Sequence, residues 1–133
     1  RAQARSITAE MHSGFSALRG ACPMNIEADL AQQGALLWRD RPAVRADVAR
    51  LVQLWTELLE AHGGPMLMGE FTIVDAFYAP VCMRLSRYGL PVPQPIAQYI
   101  QRVEALPAMQ EWIAAAKAEQ DFREFEEPYR LKR

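Results

Sequence analysis

The chain has 133 residues, half of them hydrophobic and 23% charged, with a formal net charge of −1. That length suits one domain, residues 1–133, with a sizeable core, and the near-zero charge removes the electrostatic case for nucleic acid or an anionic membrane surface as a partner. The sequence holds no apolar run near the roughly 20 residues a membrane span needs.

Ala4, Ile7, Met11, Phe15 and Leu18 step by three or four, which predicts one amphipathic helix over residues 2–19. Gly14 lies inside that pattern and weakens it by about 1 kcal/mol relative to Ala. A glycine there points either to a close approach by another backbone or ligand, or to a packed helix crossing. The chain starts at Arg1 already inside this pattern, so we read it as a piece of a longer protein. Gly20 and Pro23 end the helix. The pattern from 20 to 41 is weak, with Ile26, Leu30 and Leu37 spaced for a short helix. Asp40-Arg41-Pro42 is a restart signal, since a proline in the first turn lacks only an N–H that would be unpaired anyway. Val44, Val48, Leu51, Val52, Trp55, Leu58 and Leu59 then mark a strong helix to about Ala61, stopped by His62-Gly63-Gly64-Pro65.

Gly69-Glu70-Phe71-Thr72-Ile73-Val74-Asp75-Ala76 carries two devices that start a helix. The Thr72 hydroxyl suits an N-cap, and Asp75, three residues on, can reach back to the Thr72 N–H, which makes a capping box. Phe71 and Ala76 are spaced for a hydrophobic staple. Ala76 to Leu85 is mostly apolar, so the helix from Ile73 to about Tyr88 is expected to be buried nearly all round, with Gly89 ending it. Pro80 inside it removes one backbone bond and predicts a kink or loosening near Ala76. Pro91, Pro93 and Pro95 read as an extended connector. Ile96, Tyr99, Ile100 and Val103 form the next helix face. Pro107 opens the last helix, with Met109, Trp112, Ile113 and Ala116 on its inner side. Residues 119–133 are charged, with Phe122, Phe125, Pro128 and Tyr129 interspersed, a tail that docks on the domain or on another body. No segment reads as a strand pair. The fold expected is all-α, an orthogonal bundle of about five or six helices around residues 73–88.

Among chemistry-bearing residues, His12 is the sharpest. An imidazole can donate to a thiolate or shuttle a proton near neutral pH, although a histidine beside an apolar face is also commonly just satisfied by a neighbour. Glu10 and Arg5 flank it on what otherwise reads as a solvated face. Cys22 and Cys82 are too few for a disulfide framework and suit a reducing, cytoplasmic setting. His12 and His62 show no metal-ligand spacing with the cysteines. Trp38, Trp55 and Trp112 read as core or interface aromatics, and the six methionines as core fillers. Glu124, Glu126 and Glu127 read as a solvated run, not a metal site. The sequence shows no Gly-rich phosphate loop, no Cys-x-x-Cys and no Ser–His–Asp order.

Three segments in register resemble one family. Phe71 to Val81 resembles the buried-helix entrance of the glutathione transferase C-terminal domain, where a Ser/Thr-x-x-Asp box and staple recur. Glu10-Met11-His12-Ser13-Gly14-Phe15 is similar to the first helix of that domain in bacterial transferases, and Leu106-Pro107-Ala108-Met109-Gln110-Glu111-Trp112 to its last core helix. The resemblance implies that Glu10, Met11, His12, Ser13 and Phe15 face the bound glutathione and a hydrophobic electrophile, whereas Phe71, Thr72, Asp75 and Ala76 are structural. Ser13 stands where the family often has Lys, which removes a cation near the tripeptide. The resemblance places the glutathione-binding, thioredoxin-like domain upstream of Arg1, together with the Ser, Tyr or Cys that activates the thiol, so no catalytic residue is expected in this chain. It further implies a homodimer, glutathione as co-substrate and no cofactor. An isomerase or dehalogenase runs on the same scaffold. The alternative is a non-catalytic interaction module, a use this fold also has beside translation factors.

Overall fold

A computed structural model describes residues 1–130; Leu131, Lys132 and Arg133, the end of the charged tail, lie outside the described residues. Seven α-helices follow one another: α1 (Ala2–Ser13), α2 (Ser16–Ala21), α3 (Ala31–Asp40), α4 (Pro42–His62), α5 (Ile73–Arg87), α6 (Gln94–Glu104) and α7 (Pro107–Glu119), with a 3₁₀ turn at Glu124–Glu126. Among the described residues there is no strand. Isolated bridges between Met66 and Gly69 and between Met68 and Glu70 tighten the turn before α5.

The all-α expectation holds, the first helix splits in two and so raises the count to seven, and one helix starts later than expected. The helix expected over 2–19 is broken at Gly14–Phe15: Gly14 is extended and Phe15 is left-handed, with φ of 58°. A Cβ on Gly14 would lie 2.6 Å from the Glu10 carbonyl oxygen, so the chain turns there only without a side chain. The short helix expected around Ile26, Leu30 and Leu37 begins at Ala31 instead. Asn25 Oδ1 accepts the N–H groups of Glu27 and Ala28, at 3.0 and 2.7 Å, and Asp29 accepts that of Ala31 at 3.0 Å. These side chains offer the backbone a turn in place of a helix.

α4 spans the bundle. Pro42 sits in its first turn and Gly63 closes it in the left-handed conformation, as the restart and stop signals require. Val44, Val48, Leu51, Leu54, Trp55 and Leu58 are buried along one face. α1 runs antiparallel to α4, since Gln3 meets His62 at 3.2 Å and Glu10 meets Arg50 at 2.7 Å. The Trp55 indole, fully buried, lies edge-on to Tyr78 of α5 and Tyr99 of α6, with centroids 5.5 and 5.1 Å apart. That cluster joins α4, α5 and α6 in one core. The Tyr78 hydroxyl then donates to the Ile7 carbonyl at 3.0 Å, which brings α1 onto α5.

α5 is less enclosed than its sequence suggests. Val74, Tyr78, Val81, Cys82, Met83 and Leu85 are buried, but Ile73 is 65% and Phe77 38% exposed, and Ala76 is exposed beside them. Phe71 is 54% exposed, so the pair expected as a staple, Phe71 and Ala76, lies on the surface. Two smaller expectations change as well. Pro95 belongs to the first turn of α6, so the connector is shorter than the three prolines suggest. Trp112 is 44% exposed, and Ile113 alone of α7 is fully in the core. The tail docks on the domain through Tyr129, whose hydroxyl donates to the Ala21 carbonyl at 2.7 Å.

Candidate functional site

The capping box is built as its spacing requires and carries more than a cap. The Thr72 hydroxyl accepts the Val74 N–H at 3.2 Å, and Asp75 Oδ2 accepts the Thr72 N–H at 2.9 Å. The other carboxylate oxygen, Oδ1, takes the Leu67 N–H at 3.2 Å and the Tyr99 hydroxyl at 2.9 Å. Asp75 is fully buried. One side chain therefore ties together the turn before α5, the start of α5 and the middle of α6. Burial, with nearby Cys82 and Asp75 adding to it, pushes the Tyr99 hydroxyl well above its ordinary pKa, so it stays a donor.

At the C-terminal end of α1 the five expected site residues separate into three groups. Phe15 is in the core, its ring edge-on to Tyr78 with centroids 6.4 Å apart. A non-glycine left-handed residue costs about 1–2 kcal/mol, which the burial of a phenyl ring, about 1.5–3 kcal/mol, offsets. Phe15 is thus an anchor of the α1–α2 turn, not an open wall. Glu10 is half-buried and engaged by Arg50 in a two-pronged pair at 2.7 and 3.1 Å, which clamps α1 to α4 and occupies its carboxylate. Met11 is half-buried against the core. His12 and Ser13 are exposed. The Ser13 hydroxyl donates back to the Ala9 carbonyl at 2.8 Å, and the His12 carbonyl accepts Arg19 Nη1 at 3.0 Å. Of the five, His12 offers the free ring and Ser13 the accessible hydroxyl.

The residue that positions this end of the site was missed from sequence. Asp47 of α4 accepts the Leu18 N–H at 3.0 Å and so caps α2 from 29 residues away. α2 has no cap from its own flanking residue, and nothing in the sequence signals this, because its apolar spacing reads as a continuation of the first helix. Arg5, the other flanking residue named from the sequence, is exposed.

No group of three or more His, Cys, Asp or Glu side chains placed to hold a metal ion occurs among the described residues. Glu127 leaves the solvated run: its carboxylate accepts from Asn25 Nδ2 at 2.9 Å and Arg130 Nη1 at 3.0 Å. No helix among the described residues is long and apolar enough to cross a membrane. The cysteines are both buried and free.

The chain is a helical domain in which a helix started by a capping box packs much of its length into the core and the first helix ends on an exposed histidine. The family model of the glutathione S-transferase C-terminal domain matches residues 4–115, from α1 into α7, and the chain belongs to that family. No curated protein matches the chain.

Proposed function

We propose that this domain is the electrophile-binding and dimer-contacting half of a glutathione transferase, one that conjugates glutathione to a hydrophobic electrophile. Proteins of this family carry a thioredoxin-like domain on the N-terminal side, and in this reading that domain binds the tripeptide and activates its thiol. The observation that supports the reading is the family match together with the exposure of His12 and Ser13 at the end of α1. In this role His12 donates to the glutathione sulfur, and Met11 gives an apolar floor. The exposed apolar residues Phe71, Ile73 and Phe77 are the natural seat of the upstream domain, since burying them removes apolar area from water.

The test uses the protein with its thioredoxin-like domain joined, assayed with an aryl halide as electrophile. His12→Ala lowers kcat/KM about tenfold, the loss expected of one neutral hydrogen bond to the reacting sulfur. The urea midpoint stays unchanged, because the side chain is exposed. An unchanged kcat/KM contradicts the role given to His12.

A further inference from the structure

The C-terminal end of a helix leaves carbonyls without partners inside the helix. At the end of α2, three consecutive carbonyls are taken by three side chains from elsewhere. The Tyr129 hydroxyl donates to Ala21 at 2.7 Å, Arg84 Nε to Cys22 at 2.8 Å and the Tyr88 hydroxyl to Pro23 at 3.0 Å. Arg84 and Tyr88 come from the end of α5 and are anchored in the core. Tyr129 comes from the segment after α7, beyond the residues that match the family model.

Among the described residues, that segment is held at few points. Its 3₁₀ turn is exposed, with Phe125 79% accessible. A cavity of about 290 Å³ lies between Phe122, Arg123 and Glu126 on one side and Met24 and Ile26 on the other. The fastenings sit at the far end: the Tyr129 bond to Ala21, the edge of Tyr129 on Tyr88 with centroids 6.0 Å apart, and the Glu127 bond to Asn25. Few buried contacts and a void beneath are the marks of a unit that opens without the rest of the fold.

We infer that residues 121–130 are a strap that opens locally, and that its closure secures the C-terminal end of α2 and covers Cys22. Arg19, in the last turn of α2, reaches back to hold the His12 carbonyl at 3.0 Å. α2 is six residues long, so the strap and the α1–α2 turn lie at the two ends of one short rigid element. Opening the strap loosens the seat of the His12–Phe15 turn. The inference does not depend on the activity proposed above.

The molecule carries its own reporter and its own control. Cys22 is buried next to Ala21, whose carbonyl takes the Tyr129 hydroxyl, and Cys82 is buried within α5. An aromatic disulfide reads both: the thiolate attacks one sulfur, a mixed disulfide forms, and the other aryl thiolate leaves. Labelling of the full 133-residue chain, followed by peptide mass spectrometry, separates the two positions. Tyr129→Ala labels Cys22 at least about tenfold faster than the wild type, the effect of losing a hydrogen bond and a ring contact, while Cys82 stays within about twofold. Tyr129→Phe removes only the hydroxyl, keeps the ring, and gives a smaller acceleration at Cys22 alone. Equal acceleration at both cysteines in these variants means global loosening and overturns the strap, as does any result in which Cys22 does not outpace Cys82.

Discussion

Asp75 has no exposure and donors on both oxygens: the N–H groups of Thr72 and Leu67 and the hydroxyl of Tyr99. An exposed cap lost to Ala costs about 0.5–2 kcal/mol. Here Asp75→Ala leaves three donors in or near the core without their acceptor, at about 1–3 kcal/mol for each buried donor left unpaired. We therefore expect a loss of about 3 kcal/mol or more, measured as a lowered urea midpoint, and a loss no larger than a surface cap contradicts this account of the box. The spacing of Thr72 and Asp75 made the cap legible in the sequence. The Leu67 and Tyr99 donors were not legible, because they approach from a turn and from α6 through the tertiary fold. A second residue, Cys22, gives a pH dependence. Burial raises its thiol from 9.0 to about 11, with Arg84 nearby pulling weakly the other way. The folded state thus holds the proton more tightly than the unfolded chain does. The stability from this group is fully present below about pH 9 and is lost as pH rises through about 11. Tyr88 is raised as well, first by burial, and adds to the same alkaline loss. Urea midpoints between pH 8 and 11 fall for the wild type and fall less steeply for Cys22→Ala, whereas equal slopes show that the thiol is not held neutral by the fold.

At the scale of elements, sequence and structure agree where the signal is local. α4 starts at Pro42 and stops at Gly63 because each end is marked by the residue that makes it. The boundaries that escaped are set from a distance. The break after Ser13 needs a left-handed Phe15 held by Tyr78 and a cap from Asp47, and the apolar spacing of Met11, Phe15 and Leu18 runs through it undisturbed. Gly34 is the clearest omission. A Cβ there would lie 1.7 Å from the Tyr88 carbonyl oxygen and 3.1 Å from its Cα, both backbone atoms, so α3 reaches the end of α5 only through this glycine. Gly20, in α2, has nothing within 4 Å of the same added atom. The two form a matched test. Gly34→Ala costs about 3 kcal/mol or more as the helices are forced apart, and Gly20→Ala gains about 0.5–1 kcal/mol from helix propensity. Similar small effects at both positions contradict the close α3–α5 approach.

For the whole molecule, the face at Phe71, Ile73 and Phe77 and the end of α1 are exposed, and the proposed function gives both one role, in a helical domain that completes a site begun by another domain. The family was legible in the sequence because its three quoted segments are local. The division of the site residues was not, because Phe15 and Glu10 are claimed by Tyr78 and Arg50, which only the fold brings near. Under the proposed function, what this chain offers a tripeptide is His12, Ser13 and a half-buried Met11. Two or three side chains on one exposed helix end do not offset the several kcal/mol, at the least about 4, needed to immobilise a flexible ligand. Calorimetric titration of glutathione is the most direct measurement. The account predicts no saturable heat at sub-millimolar glutathione with the 133-residue chain and saturable binding once the thioredoxin-like domain is joined to it. Saturable binding to the chain by itself, or none to the joined protein, contradicts the division of the site between two domains.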